Sequence, residues 1–160
     1  MSINVEGKTR NWIFFGVTAL TIIVVLITYS YGRSQDKSFL SNYSEYQKAV
    51  SLIKQQQYNQ AFEILQNLDS NSQATYQVQY LKGICAYQNG NYDMAARFYQ
   101  GAQDTRPALL KNQEFLLNYG KTLYKLGNYE RSLVYLQKIP NPNQEARQLL
   151  DSIAEMAGDQ

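Results

Sequence analysis

Side chains able to carry out covalent or acid–base chemistry are sparse in this sequence. It contains no histidine, which removes the commonest general base and the commonest metal ligand. Its one cysteine, Cys85, lies in the middle of an apolar-patterned segment, where a small buried packing residue is the expected role. Asp and Glu are scattered singly, so no two carboxylates share a face at a spacing suited to acid–base catalysis. No glycine-rich phosphate loop occurs, and without a Cys or His cluster no metal ligand set is expected. Over residues 38–160 Lys and Arg equal Asp and Glu in number, which argues against the basic stripe of a nucleic-acid surface. The expectation is no enzyme, no cofactor, no metal and no nucleic acid. What the chain has instead is tyrosine, 14 of its 160 residues. A tyrosine ring buries much area at low entropy cost while its hydroxyl stays satisfied at a polar rim, a chemistry of binding.

The elements that position those tyrosines repeat. Residues 81–102, LKGICAYQNGNYDMAARFYQGA, read as an apolar-patterned helix, a tight Asn89-Gly90-Asn91 turn and a second helix with small residues at Ala95 and Ala102. Neither helix of such a hairpin can bury its apolar face alone. The Gly-Asn-Tyr turn recurs at Gly127-Asn128-Tyr129, with a weaker copy at Gln57-Tyr58; the tyrosines are spaced 34 positions (58 to 92) and then 37 (92 to 129). Small residues keep the same offsets, Ala49, Gly83 and Gly120 on the first helices and Ala61, Ala95 and Ser132 on the second. Bulky Leu65, Tyr99 and Leu136 follow four positions later, then Leu68, Ala102 and Ile139. The spacing predicts close helix contacts, with Gly83 facing Ala95.

This pattern resembles the tetratricopeptide repeat (TPR) family, whose unit is a helix–turn–helix of about 34 residues. The middle copy carries Gly83, Gly90, Tyr92, Ala95, Tyr99, Ala102 and Pro107 where the family pattern has them. The third copy has three extra residues before it and Ser132 for the usual alanine; the first has Ala49 for glycine and Gln56 for the turn glycine. The resemblance implies a right-handed superhelix whose first helices line a concave groove for a partner segment. Its groove positions fall on Tyr46, Val50 and Ile53, on Tyr80, Ile84 and Tyr87, and on Leu117, Lys121 and Tyr124. The alternative for these residues is packing against neighbouring repeats or the end helix. The family's Lys/Asn clamp for a C-terminal carboxylate is not reproduced, since Tyr46, Tyr80 and Leu117 occupy one of its key positions.

Helices are predicted at residues 42–56, 58–68, 74–89, 91–103, 107–126 and 128–138. Asn141-Pro142-Asn143-Gln144 starts a last one, with Asn141 as N-cap, Pro142 at N1 and Gln144 closing a capping box. Its apolar face, Ala146, Leu149, Leu150, Ile153 and Ala157, suits a helix that covers the end of a solenoid.

Before the repeats, residues 12–31 run without a charge, the length of about 20 residues needed to span a bilayer core. The apolar side chains favour insertion by roughly 3–6 kcal/mol, with Trp12, Tyr29 and Tyr31 at interfacial positions. Thr28-Tyr29-Ser30 is a poor cleavage site, so an anchor is expected over a cleaved signal. Lys8 and Arg10 precede the span and Arg33 and Lys37 follow it, a near tie resolved toward N-terminus inside and the repeats outside the cytoplasm.

The expected fold class is all-α: a transmembrane helix at 12–31 followed by a three-repeat TPR-like α-solenoid with a C-terminal capping helix. The organisation is a polar tail at 1–11, the span at 12–31, a linker at 32–40 and the helical domain at 41–157. The expected function is a membrane-tethered protein–protein interaction scaffold that binds an apolar or aromatic partner segment and contacts lipid through residues 12–31. The alternative is a permanent small structural or assembly subunit of a larger membrane complex.

Overall fold

The structure, a computed structural model, describes the backbone of residues 5–158; the side chains of residues 5–11, 13–14, 30–39 and 157–158 lie outside the description. The polar tail, the charges that set the expected sidedness and Ala157 of the last apolar face therefore lie outside the described side chains. The chain divides into two units, Met1–Ser41 and Asn42–Gln160. Every regular element among the described residues is helical.

Residues 12–31 fall inside one helix, α1 (Val5–Lys54), which also runs through the expected linker. No helix among the described residues is long and apolar enough to cross a membrane. This overturns the transmembrane helix at 12–31, and with it the single-pass placement and its sidedness. The physical reason is the polar content of the run, in which threonines 18, 21 and 28 stand among the apolar side chains. Thr18, Thr21 and Thr28 within it turn their hydroxyls back onto helix carbonyls, and side chains such as Phe15, Leu20 and Ile22 are exposed.

In the second unit, the end of α1 pairs with α2 (Tyr58–Gln66), α4 (Tyr76–Gln88) with α5 (Tyr92–Thr105), and α6 (Gln113–Lys125) with α7 (Tyr129–Leu136). A short α3 (Ser70–Gln73) lies between the first two hairpins, and α8 (Gln144–Gly158) follows the last. One turn geometry joins all three hairpins. Gly90 (φ +77°) and Gly127 (φ +72°) take the left-handed conformation, and Gln56 (φ +61°) takes it without being glycine. Each is followed by the same wide backbone bond, Gln57 N to Leu52 O, Asn91 N to Ala86 O and Asn128 N to Leu123 O, at 2.8–2.9 Å. That pairing satisfies carbonyls left open at a helix end. Asn91 and Asn128 then cap the next helix by accepting from Met94 N and Arg131 N, so the residue directly after each glycine both stops one helix and starts another.

The predicted helix 107–126 is two elements. Pro107–Lys111 forms a 3-10 turn, and Asn112 starts α6 by accepting from Phe115 N at 2.9 Å. This turn accommodates the extra residues of the third copy. The last helix also starts later than predicted: Asn143, not Asn141, accepts from Ala146 N at 2.9 Å. Pro142 stays outside it, its carbonyl taken by the Arg147 guanidinium.

The core has two clusters. Ala49, Ala61, Leu65, Leu68, Val78 and Cys85 form one; a larger one centres on Tyr99, Phe115, Leu116, Tyr119 and Leu136 and continues to Ala146 and Ile153 of α8. Gly83 faces Tyr99 rather than Ala95, because a Cβ at Gly83 would lie 2.6 Å from Tyr99 Cε1. Gly120 meets Leu136 in the same way. Ser132 is buried without penalty because its hydroxyl donates to Gly120 O at 2.8 Å.

Candidate functional site

All nine residues expected to line the groove lie on first helices of the hairpins, and all are half-buried. Their register is what 3.6 residues per turn requires, positions separated by four and then three on one helix face. Tyr46, Val50 and Ile53 lie on the end of α1, Tyr80, Ile84 and Tyr87 on α4, and Leu117, Lys121 and Tyr124 on α6.

Several of these side chains already have partners. The Tyr80 ring packs against Tyr99 and Phe115, with centroids 5.8 and 5.9 Å away. Its hydroxyl donates to Glu114 Oε1 at 3.1 Å and accepts from Asn118 Nδ2 at 2.9 Å. Tyr80 therefore ties α4 to α6. Burial, and then the Glu114 carboxylate, push its phenol well above the ordinary value. The Tyr87 ring meets Tyr92 at a tilt, with centroids 5.3 Å apart, and the Tyr124 ring meets Tyr129 edge-on at 5.4 Å. In both hairpins the last of the three expected groove residues meets the residue that opens the second helix. Lys121 is held between the Tyr87 ring, 5.3 Å from its ammonium, and the Glu145 carboxylate of α8. Burial raises the Tyr87 phenol, with the Lys121 charge acting against it.

Farther along α6, Leu117 opens onto a cleft of about 240 Å³, lined also by Gln113, Glu114, Ile139, Asn141 and Asn143. The sequence expectation contained only Leu117 of this set. Glu114 lies three residues before Leu117, so helical periodicity alone could have found it. Ile139, Asn141 and Asn143 reach the cleft from the segment between α7 and α8, which periodicity does not place. Cys85 is buried, and burial pushes its thiol up to about 12, away from the thiolate form that acts as a nucleophile. Among the described residues no group of His, Cys, Asp and Glu could hold a metal ion.

Family models described as tetratricopeptide repeat match residues 86–155 and 43–72. The hairpins are tetratricopeptide repeats. No curated protein matches the chain. Among solved structures, the second TPR domain of human RPAP3, in complex with the HSP70 peptide SGPTIEEVD, is similar with a TM-score of 0.61 at 14% identity, over 73% of this chain and 98% of that one. The Arabidopsis OM64 TPR domain is similar with a TM-score of 0.64 at 13% identity, over 74% and 98%. The Yersinia enterocolitica type III secretion chaperone SycD, in complex with a peptide of the translocator YopD, is similar with a TM-score of 0.53 at 19% identity, over 71% and 87%. At these identities the likeness establishes the TPR fold.

Proposed function

We propose that the chain is a protein-interaction scaffold whose TPR groove takes an apolar or aromatic segment of a partner protein. The observation that carries this reading is the threefold recurrence of half-buried tyrosine and aliphatic side chains at one register of the first helices, centred on Tyr80, Ile84, Tyr87 and Tyr124. Half-buried rings are already held in place by neighbours, so little ordering entropy is lost when a partner covers the rest. RPAP3 and SycD, similar in fold, were each solved with a peptide, which is consistent with this use of the architecture. Charge contributes modestly, because Lys121 is already paired with Glu145.

The test uses peptides selected from a displayed random library on the full chain. The double substitution Tyr87→Ala with Tyr124→Ala is expected to weaken the selected peptides by more than about 2 kcal/mol, roughly thirtyfold, the scale of interface hot spots. Thermal melting of the same protein separates binding from folding. Lost stability with unchanged peptide affinity would show that these tyrosines serve the core alone and would overturn the reading.

A further inference from the structure

The cleft beside Leu117 has a chemical bias that the rest of the groove lacks. Two apolar side chains, Leu117 and Ile139, and three amides, Gln113, Asn141 and Asn143, line it together with Glu114, the one charged group among its lining residues. The Glu114 carboxylate is exposed and tethered: Oε1 accepts from Tyr80, whose oxygen is itself held by Asn118. Oε2 accepts no hydrogen bond from the described residues. The site's dimensions suit a single long side chain, because a volume of about 240 Å³ falls below the roughly 300–1,000 Å³ of drug-sized pockets.

We propose that this cleft is a pocket for one Lys or Arg side chain of the bound partner segment, with the aliphatic stem on Leu117 and Ile139 and the cationic head at Glu114 and the three amides. Charge complementarity selects this occupant. A carboxylate side chain would face Glu114 at close range, and an apolar one would take water from Glu114 Oε2 and from the amides of Gln113 and Asn141 without replacing it. Lysine and arginine combine an apolar stem with a charged tip, the combination that the lining mirrors. The proposal deepens the groove reading, and it assigns the partner one basic residue within an otherwise apolar segment.

The test is made on the full chain with blocked single amino acids, so that it does not depend on any peptide. N-acetyl-arginine methylamide is titrated while the methyl resonances of Leu117 and Ile139 are followed by NMR, alongside the neutral isostere N-acetyl-citrulline methylamide. The arginine derivative is expected to shift both methyls saturably and to bind about three to five times more tightly than the citrulline derivative, the effect of one solvent-exposed charge pair. Glu114→Gln retains an oxygen for Tyr80 and removes the charge; it is expected to abolish that preference while leaving the melting temperature close to that of the parent. Equal binding of the two derivatives to the parent protein, or a preference that persists in Glu114→Gln, overturns the proposal. Selected peptides that bind through Tyr87 and Tyr124 but show no enrichment in Lys or Arg would also sink the pocket and leave the groove standing. An arginine preference at the cleft, with no peptide dependent on the tyrosines, would sink the groove and leave the pocket standing.

Discussion

Adding one methyl group at Gly83 or at Gly101 should have opposite consequences. Both glycines lie inside helices, Gly83 in α4 and Gly101 in α5, so Gly→Ala gains the same helix propensity of roughly 0.8–1 kcal/mol at each. What differs is the space. At Gly83 the new Cβ would lie 2.6, 2.8 and 3.0 Å from Cε1, Cδ1 and Cζ of Tyr99. That ring cannot withdraw, because it is 1% exposed and packed against Tyr80, Phe115 and Tyr119 with centroids 5.7–6.0 Å away. Forcing it aside costs about 1–3 kcal/mol, more than propensity returns. At Gly101 the new Cβ would meet only the side-chain amide of Gln79, Oε1 at 3.2 Å and Cδ at 3.6 Å, and although its Nε2 donates to Gln73 O, the end of a flexible side chain needs to give by only a few tenths of an ångström. Gly83→Ala is therefore expected to destabilise by up to about 2 kcal/mol and Gly101→Ala to be neutral or stabilising by up to about 1 kcal/mol. Urea denaturation of the three proteins, with melting temperatures as a second readout, measures the difference directly. The same sign and size for both variants would show that the tight hairpin contact is not at Gly83 and Tyr99.

Two further outcomes test the turns. Gln56→Gly should raise stability by about 0.5–1 kcal/mol, because Gln56 holds φ +61° where a Cβ is strained and the equivalent residues are Gly90 and Gly127; a lower denaturation midpoint would mean that the glutamine is not strained there. Asp69 caps α3, and the Ser72 backbone N–H, then its side chain, hold the carboxyl below its ordinary value. A depressed folded-state value contributes stability that is complete above the ordinary carboxylate range and is lost as pH falls through the folded value. The melting temperature of the parent should thus fall more steeply than that of Asp69→Asn between about pH 4 and pH 2, and parallel curves would refute the assignment.

How far the site could be read in advance depends on which contacts are local. The period was legible because one turn geometry, with Gly or Gln at the left-handed position and, in the second and third copies, an asparagine cap after it, is written in consecutive residues at 56–58, 90–92 and 127–129. The same local signals placed the nine positions expected to line a groove on their helices. Partner assignment was harder. Gly83 was expected against Ala95 and meets Tyr99, four residues on, because spacing identifies the facing helix but not which side chain on it has the length to fill the gap. Two asparagines flank Pro142, and pattern alone favours the first as the cap. The structure uses the second, where the Pro142 carbonyl is engaged by Arg147 and the helix begins after it. The charge state of the groove was not legible at all. Lys121 stands in the sequence as an unpaired cation at a groove position, and only the placement of α8 brings Glu145 to it. Glu114, by contrast, stands as one more scattered carboxylate until Tyr80 from the preceding repeat and the segment before α8 close around it. The repeat period thus determines which positions share the face proposed for a partner, while the elements outside the period, the 3-10 turn and the segment leading into α8, determine which charge is left on that face.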